Sequence, residues 1–126
     1  MTAQINQLID DYLDAYSEVD PARRASAVSR IWAADGRLVD PPLESQGYAG
    51  IAAQAETLLS QFPKHRFRRS TGIDAHHGFA RYGWQLVNPA GATTLEGCDF
   101  VEVDGSGRLQ RVVGFFGPMP PAGDAA

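Results

Sequence analysis

The chain has 126 residues, the length of one domain, and its 44% hydrophobic and 21% charged residues are ordinary for a globular protein. A formal net charge of −4 gives no global attraction to nucleic acid or to an anionic membrane, so neither is expected as a partner. Cys98 is the only cysteine, which excludes an internal disulfide, and no apolar run approaches the roughly 20 residues that span a bilayer.

The polar N-terminal stretch has no signal-peptide h-region, and a soluble cytoplasmic protein is expected. In "TAQINQLIDDYLDAYSE" the apolar residues Ile5, Leu8, Ile9, Tyr12, Leu13 and Tyr16 form one face of an amphipathic helix. "VDPARRASAVSRIWAADG" predicts a second helix, capped by Asp20 with Pro21 at its first position and stopped by Gly36. Its buried face is Ala25, Val28, Ile31 and Trp32. A short strand over 37–40 ends at Pro41 and Pro42, which hold the chain after Asp40 extended. A third helix, about 49–61, buries Ile51, Ala55, Leu58 and Leu59 and is ended by Pro63.

From His65 the pattern changes to strands separated by turn signals, "AHHG", "NPAG" and "DGSG". Four antiparallel strands are predicted, at about 65–75, 78–88, 92–103 and 108–116. The basic run "KHRFRR" alternates with His65 and Phe67 and reads as the wet face of the first of them. Residues 1–117 form a single domain in this reading, and 118–126 a frayed, Pro- and Ala-rich tail. Helices followed by a meander of strands indicate an α+β fold, with three N-terminal helices packed into a cone-shaped, curved antiparallel sheet.

Strand alternation sorts the side chains of that sheet. In "TTLEGCDFVEV" Asp99 falls in the middle of the apolar face, where a carboxylate needs a partner or a raised pKa. Tyr82, Trp84 and Leu86 share one face of their strand. Together with Trp32 and Phe115 or Phe116 they form a candidate apolar wall for a small hydrophobic ligand. Asp40, beside a chain break and near solvent, is the candidate base. Asp99, kept protonated, and Tyr12 or Tyr16 are the candidate donors to one oxygen. Such parts suit removal of a proton alpha to a carbonyl, and they call for no cofactor or metal.

The segments "YLDAY", "IWAADGRLVDP" and "CDFVEVDGSGRLQRVVGFFG" resemble the nuclear-transport-factor-2-like superfamily, including its SnoaL-like branch, over about residues 5–117. That resemblance implies a conical pocket and a homodimer. Within the superfamily the chain resembles ketosteroid Δ5-isomerase. There, Asp40 falls on the general base, Asp99 on the protonated oxyanion-hole acid and Tyr12 on the oxyanion-hole tyrosine. The link between the first two helices looks about four residues longer here, so Tyr16, one turn further along the same face, competes with Tyr12. The superfamily also includes polyketide cyclases, dehydratases, epoxide hydrolases and non-catalytic binding proteins. The placing of His65, His76 and His77 speaks against a dehydratase-type His–Asp pair. A binding module for a small hydrophobic ligand, and a scaffold that dimerises through its outer sheet face, are the other readings.

Overall fold

The computed structural model describes residues 2–123. Three helices, α1 (Thr2–Tyr16), α2 (Pro21–Ile31) and α3 (Gly47–Gln61), pack against a curved, mixed sheet of seven strands. The strands are β1 (Trp32–Asp40), β2 (Leu43–Gln46), β3 (Arg66–Arg69), β4 (Asp74–His76), β5 (Phe79–Val87), β6 (Thr93–Val103) and β7 (Leu109–Phe116). Their order is β2-β1-β7-β6-β5-β3, with β4 also paired to β5. α1 lies on β3, α3 on β1, and α2 contacts both helices. This is the expected α+β architecture, with one difference in kind: β1 runs parallel to β7, so the sheet is not wholly antiparallel.

The local signals act as read for most elements. The Asp20 carboxylate accepts the Arg23 N–H at 2.8 Å and Pro21 occupies the first turn of α2. The three turn signals lie between β4 and β5, β5 and β6, and β6 and β7. In the last two, Asn88 Oδ1 accepts from the Ala90 and Ala92 amides, and Asp104 Oδ1 from the Ser106 and Arg108 amides. In the basic run Phe67 is buried between exposed Arg66 and Arg68, while Arg69 pairs with Asp10 of α1. Residues 118–123 of the expected tail are exposed and belong to no helix or strand, and 124–126 lie outside the described residues.

Other boundaries move. α2 ends at Ile31, and the stretch expected to finish that helix is the first half of β1. Gly36 is therefore no helix stop. A Cβ there would sit 2.5 Å from Trp32 Cε3, so the missing side chain makes room for the indole beside an irregularity in the β1–β7 pairing. The prolines do not extend the chain after Asp40 either. They form a two-residue turn, and the unpredicted strand β2 returns antiparallel with Leu43 opposite Asp40. The strand expected over 65–75 divides into β3 and β4 around residues 70–73.

The core is one cluster joining the apolar face of α1 to α2, α3 and the inner face of the sheet. Ile9, Trp32, Leu38, Leu86, Leu109 and Val112 are its most deeply buried members. The tyrosines of α1 sit inside it, with Tyr12 edge-on to Trp32 and Tyr16 stacked on Phe67. Trp32→Ala is expected to destabilise the fold by about 3–5 kcal/mol, as measured by urea unfolding, because the closed core cannot collapse around so large a loss.

Candidate active site

Strand register builds the site. Tyr82 on β5 is opposite Asp99 on β6, and Asp99 is opposite Gly114 on β7. The parallel pairing of Val39 with Val113 then carries Asp40, at the end of β1, alongside Gly114. Two carboxyl groups thus flank a glycine in one row across four strands. A Cβ on Gly114 would lie 3.0 Å from Asp40 Oδ1 and 3.1 Å from Asp99 Oδ1, so both oxygens face the gap left by the missing side chain. Gly114→Ala places a methyl in that gap. It is expected to cost about 1–3 kcal/mol in urea unfolding, since both buried carboxyl groups must shift by a few tenths of an ångström to admit it.

Each carboxyl has a tyrosine partner. Tyr16 donates its hydroxyl proton to Asp40 Oδ2 at 2.9 Å, and Tyr82 donates to Asp99 Oδ2 at 2.6 Å. Gln54 of α3 in turn donates from Nε2 to the Tyr16 oxygen at 3.3 Å. Asp40 is only 7% exposed and Asp99 5%. Asp40 is therefore not the solvent-near carboxylate expected from the sequence. Burial raises its pKa, and the Tyr16 hydrogen bond pulls the other way. Asp99 is pushed up to about 7, first by burial and then by the neighbouring Asp40 charge, against the hydrogen bond from Tyr82 and the nearby Trp84 N–H. Among the described residues that indole N–H has no formed hydrogen bond, and neither have Asp40 Oδ1 and Gln54 Oε1. Three of the five buried side-chain polar atoms without partners among the described residues gather around this row, a concentration that needs an explanation.

The two α1 tyrosines divide between the carboxyls. Burial holds both phenols well above their ordinary pKa; Asp99 is the charge that weighs most on Tyr12, and Asp40 the one that weighs most on Tyr16. Tyr16 has its proton engaged on Asp40, whereas Tyr12 stacks on Tyr16 at 5.7 Å. Trp32 and both tyrosines line a void of about 10 Å³ with Ala15, Val28, Ile51 and Ala55. That volume is about that of one water-sized probe, so this side of the interior is packed.

Of the expected wall, Tyr82 and Trp84 are on the inner face, and Phe116 stands edge-on over Trp84 with ring centroids 5.6 Å apart. Phe115 is a correction. Alternation turns it to the opposite face, where it meets Phe100, and it is 54% exposed. His65 bonds Thr94, and His76 and His77 lie at the β4–β5 turn, apart from the carboxyl row. Gln54 and Gly114 escape the sequence reading. Gln54 interrupts an apolar helix face, which is a weak signal, and Gly114 gains its meaning only from the β1–β7 register.

The three helices packed against a curved, mixed sheet define a nuclear-transport-factor-2-like, cystatin-like fold. A proposed isomerase of the SnoaL-like family from Agrobacterium tumefaciens has the same fold with a TM-score of 0.87, and is 36% identical over 92% of this chain and 99% of that one. The chain belongs to the SnoaL-like family. A proposed polyketide cyclase from Sinorhizobium meliloti (TM-score 0.68, 15% identity, 86% of this chain and 94% of that one) shares the fold. So does a protein of cystatin-like fold from Methylobium petroleophilum (TM-score 0.72, 20% identity, 100% and 84%). No protein-family model matches the chain, and no curated protein does. No helix among the described residues is long and apolar enough to cross a membrane.

Proposed function

We propose that the protein is an enzyme of enolate chemistry, a ketosteroid-isomerase-like isomerase or SnoaL-like cyclase acting on a small hydrophobic carbonyl compound without a cofactor. The observation that carries this reading is the pair of buried carboxyl oxygens, Asp40 Oδ1 and Asp99 Oδ1, turned to one gap over Gly114. Asp40 Oδ1 has no hydrogen-bond partner and is free to accept a proton. With its pKa near 7, Asp99 carries its proton in a large share of molecules at neutral pH and serves as an O–H donor.

In this mechanism Asp40 takes the proton from the carbon alpha to the carbonyl, the C–H electrons form the enolate C=C bond, and the carbonyl π pair moves onto its oxygen. Asp99 donates a hydrogen bond to that oxygen, supported by the unpartnered Trp84 N–H and by Tyr12. Return of the same proton from Asp40 to the gamma carbon of a β,γ-unsaturated ketone completes an isomerisation. Attack of the enolate carbon on a second carbonyl would instead close a ring.

A second reading, a binding module without turnover, is favoured by one observation: each carboxyl already has a tyrosine hydroxyl on its outer oxygen. One experiment separates them. The protein is incubated with a β,γ-unsaturated 3-ketosteroid and with a small β,γ-enone, following conjugated-enone absorbance and tryptophan fluorescence together. Rising absorbance is the expected result. Fluorescence quenching at constant absorbance would favour the binding module, and no response in either signal would count against both for these compounds.

A further inference from the structure

We propose that Gln54 is a positioning residue for the base: through the Tyr16 hydroxyl it holds Asp40 rotated so that Oδ1 alone faces the gap over Gly114. Its part in turnover rests on the enolate reading above, whereas the relay itself stands on geometry. Gln54 is buried on α3 among Ile51, Ala55, Leu58 and Leu59, a face on which an aliphatic side chain would pack without leaving an amide oxygen unpaired. The amide nevertheless reaches across the core to α1, 38 residues away in sequence, and donates to Tyr16.

The hydrogen-bond directions admit one arrangement with Asp40 ionised. A phenol has one proton, and that of Tyr16 is spent on Asp40 Oδ2. The Tyr16 oxygen is then an acceptor, so the Gln54 –NH₂ and not its carbonyl must face it. Donation to the phenol oxygen polarises the O–H bond and strengthens the hydrogen bond that this group makes to the carboxylate. The ring itself is held in plane by Phe67, stacked at 4.9 Å and 2°, and by Tyr12 at 5.7 Å. Stacking alone leaves the hydroxyl free to slide along the face, and Gln54 removes that freedom. With Oδ2 occupied, the carboxylate presents a single oxygen to a substrate.

The groups facing Asp40 are Tyr12, Tyr16, Tyr82 and Asp99, and Gly114 on β7 adds no side chain. A change at Gln54 that reaches Asp40 must therefore pass through this set. Carbon-13 NMR titration of the aspartate carboxyls is compared in wild type, Gln54→Met, Tyr16→Phe and the double variant, with circular dichroism to confirm folding. Gln54→Met is expected to move the Asp40 midpoint upward by about 0.5–1 pH unit, as loss of a hydrogen bond to the charged form requires. The double variant should equal Tyr16→Phe, because Gln54 acts only through that hydroxyl. An unmoved midpoint in Gln54→Met, or additive shifts in the double variant, overturns the proposal.

Should Gln54→Met not fold, wild type still decides: the Gln54 side-chain –NH₂ resonances should titrate with the Asp40 midpoint, and a flat profile refutes the relay. With a turned-over enone, kcat/KM of Gln54→Met should fall about tenfold with its acid limb shifted upward by the NMR amount. If wild type turns over no enone, the enolate reading fails while the titrations still judge the relay. If it does turn over and the acid limb stays in place, the positioning role fails alone.

Discussion

Asp40→Asn is expected to lower kcat/KM for a β,γ-enone by about a thousandfold, within the range set by loss of a general base. Asparagine keeps the shape and still offers an oxygen to the Tyr16 hydroxyl, so the core around the site should remain intact. It removes the one property the mechanism needs at that position, an unpartnered carboxylate oxygen able to take a proton. The variant also removes the charge that helps to raise Asp99, so the Asp99 midpoint should fall somewhat from about 7 while burial continues to hold it above the ordinary carboxyl value. Steady-state kinetics and a carboxyl titration of the same variant check both halves. Undiminished turnover would reduce Asp40 to a residue that ends a strand.

Asp99→Asn should change how stability depends on pH. Burial raises the Asp99 pKa from 3.8 to about 7, so the native state prefers the protonated acid by roughly 4 kcal/mol. Because the folded pKa lies above the unfolded one, this contribution is fully present below about pH 4. It declines as pH rises from there and is lost once pH passes 7. Wild type should therefore lose stability between pH 4 and 7 relative to Asp99→Asn, whose amide imitates the protonated acid, accepts from Tyr82 and never ionises. Urea midpoints should coincide near pH 4 and separate in favour of the variant at pH 8. Parallel midpoints across that range would mean that Asp99 is not held protonated. The same titration predicts an alkaline limb near pH 7 in wild-type turnover, absent in the variant, since an ionised Asp99 has no proton to donate.

Much of this was legible in the chain because its causes are local. Apolar residues three and four apart form the inner stripe of α1 whatever lies beneath it, and Asn88 and Asp104 make their turns with amides two and four residues on. Alternation alone placed Asp99, Tyr82 and Trp84 on the inner face, and the order of elements was enough for the α+β class. The charge and the lone cysteine set the exclusions by counting.

The rest depends on partners distant in sequence. Whether Trp32 ends a helix or begins a strand is decided by β7, which pairs with it from Leu109 and needs Gly36 bare to seat the indole. Asp40 reads as solvent-near because two prolines follow it; only the return of β2 and the parallel register on β7 bury it beside Gly114. That Tyr16 is the tyrosine bonded to Asp40 depended on the position of a carboxylate 24 residues further along the chain. Gln54 had no chemistry to declare until the fold brought its amide to the Tyr16 hydroxyl. Periodicity is written by the chain's own backbone geometry, but a hydrogen bond between two side chains exists only once the sheet register and the helix packing have brought them within 3 Å or so.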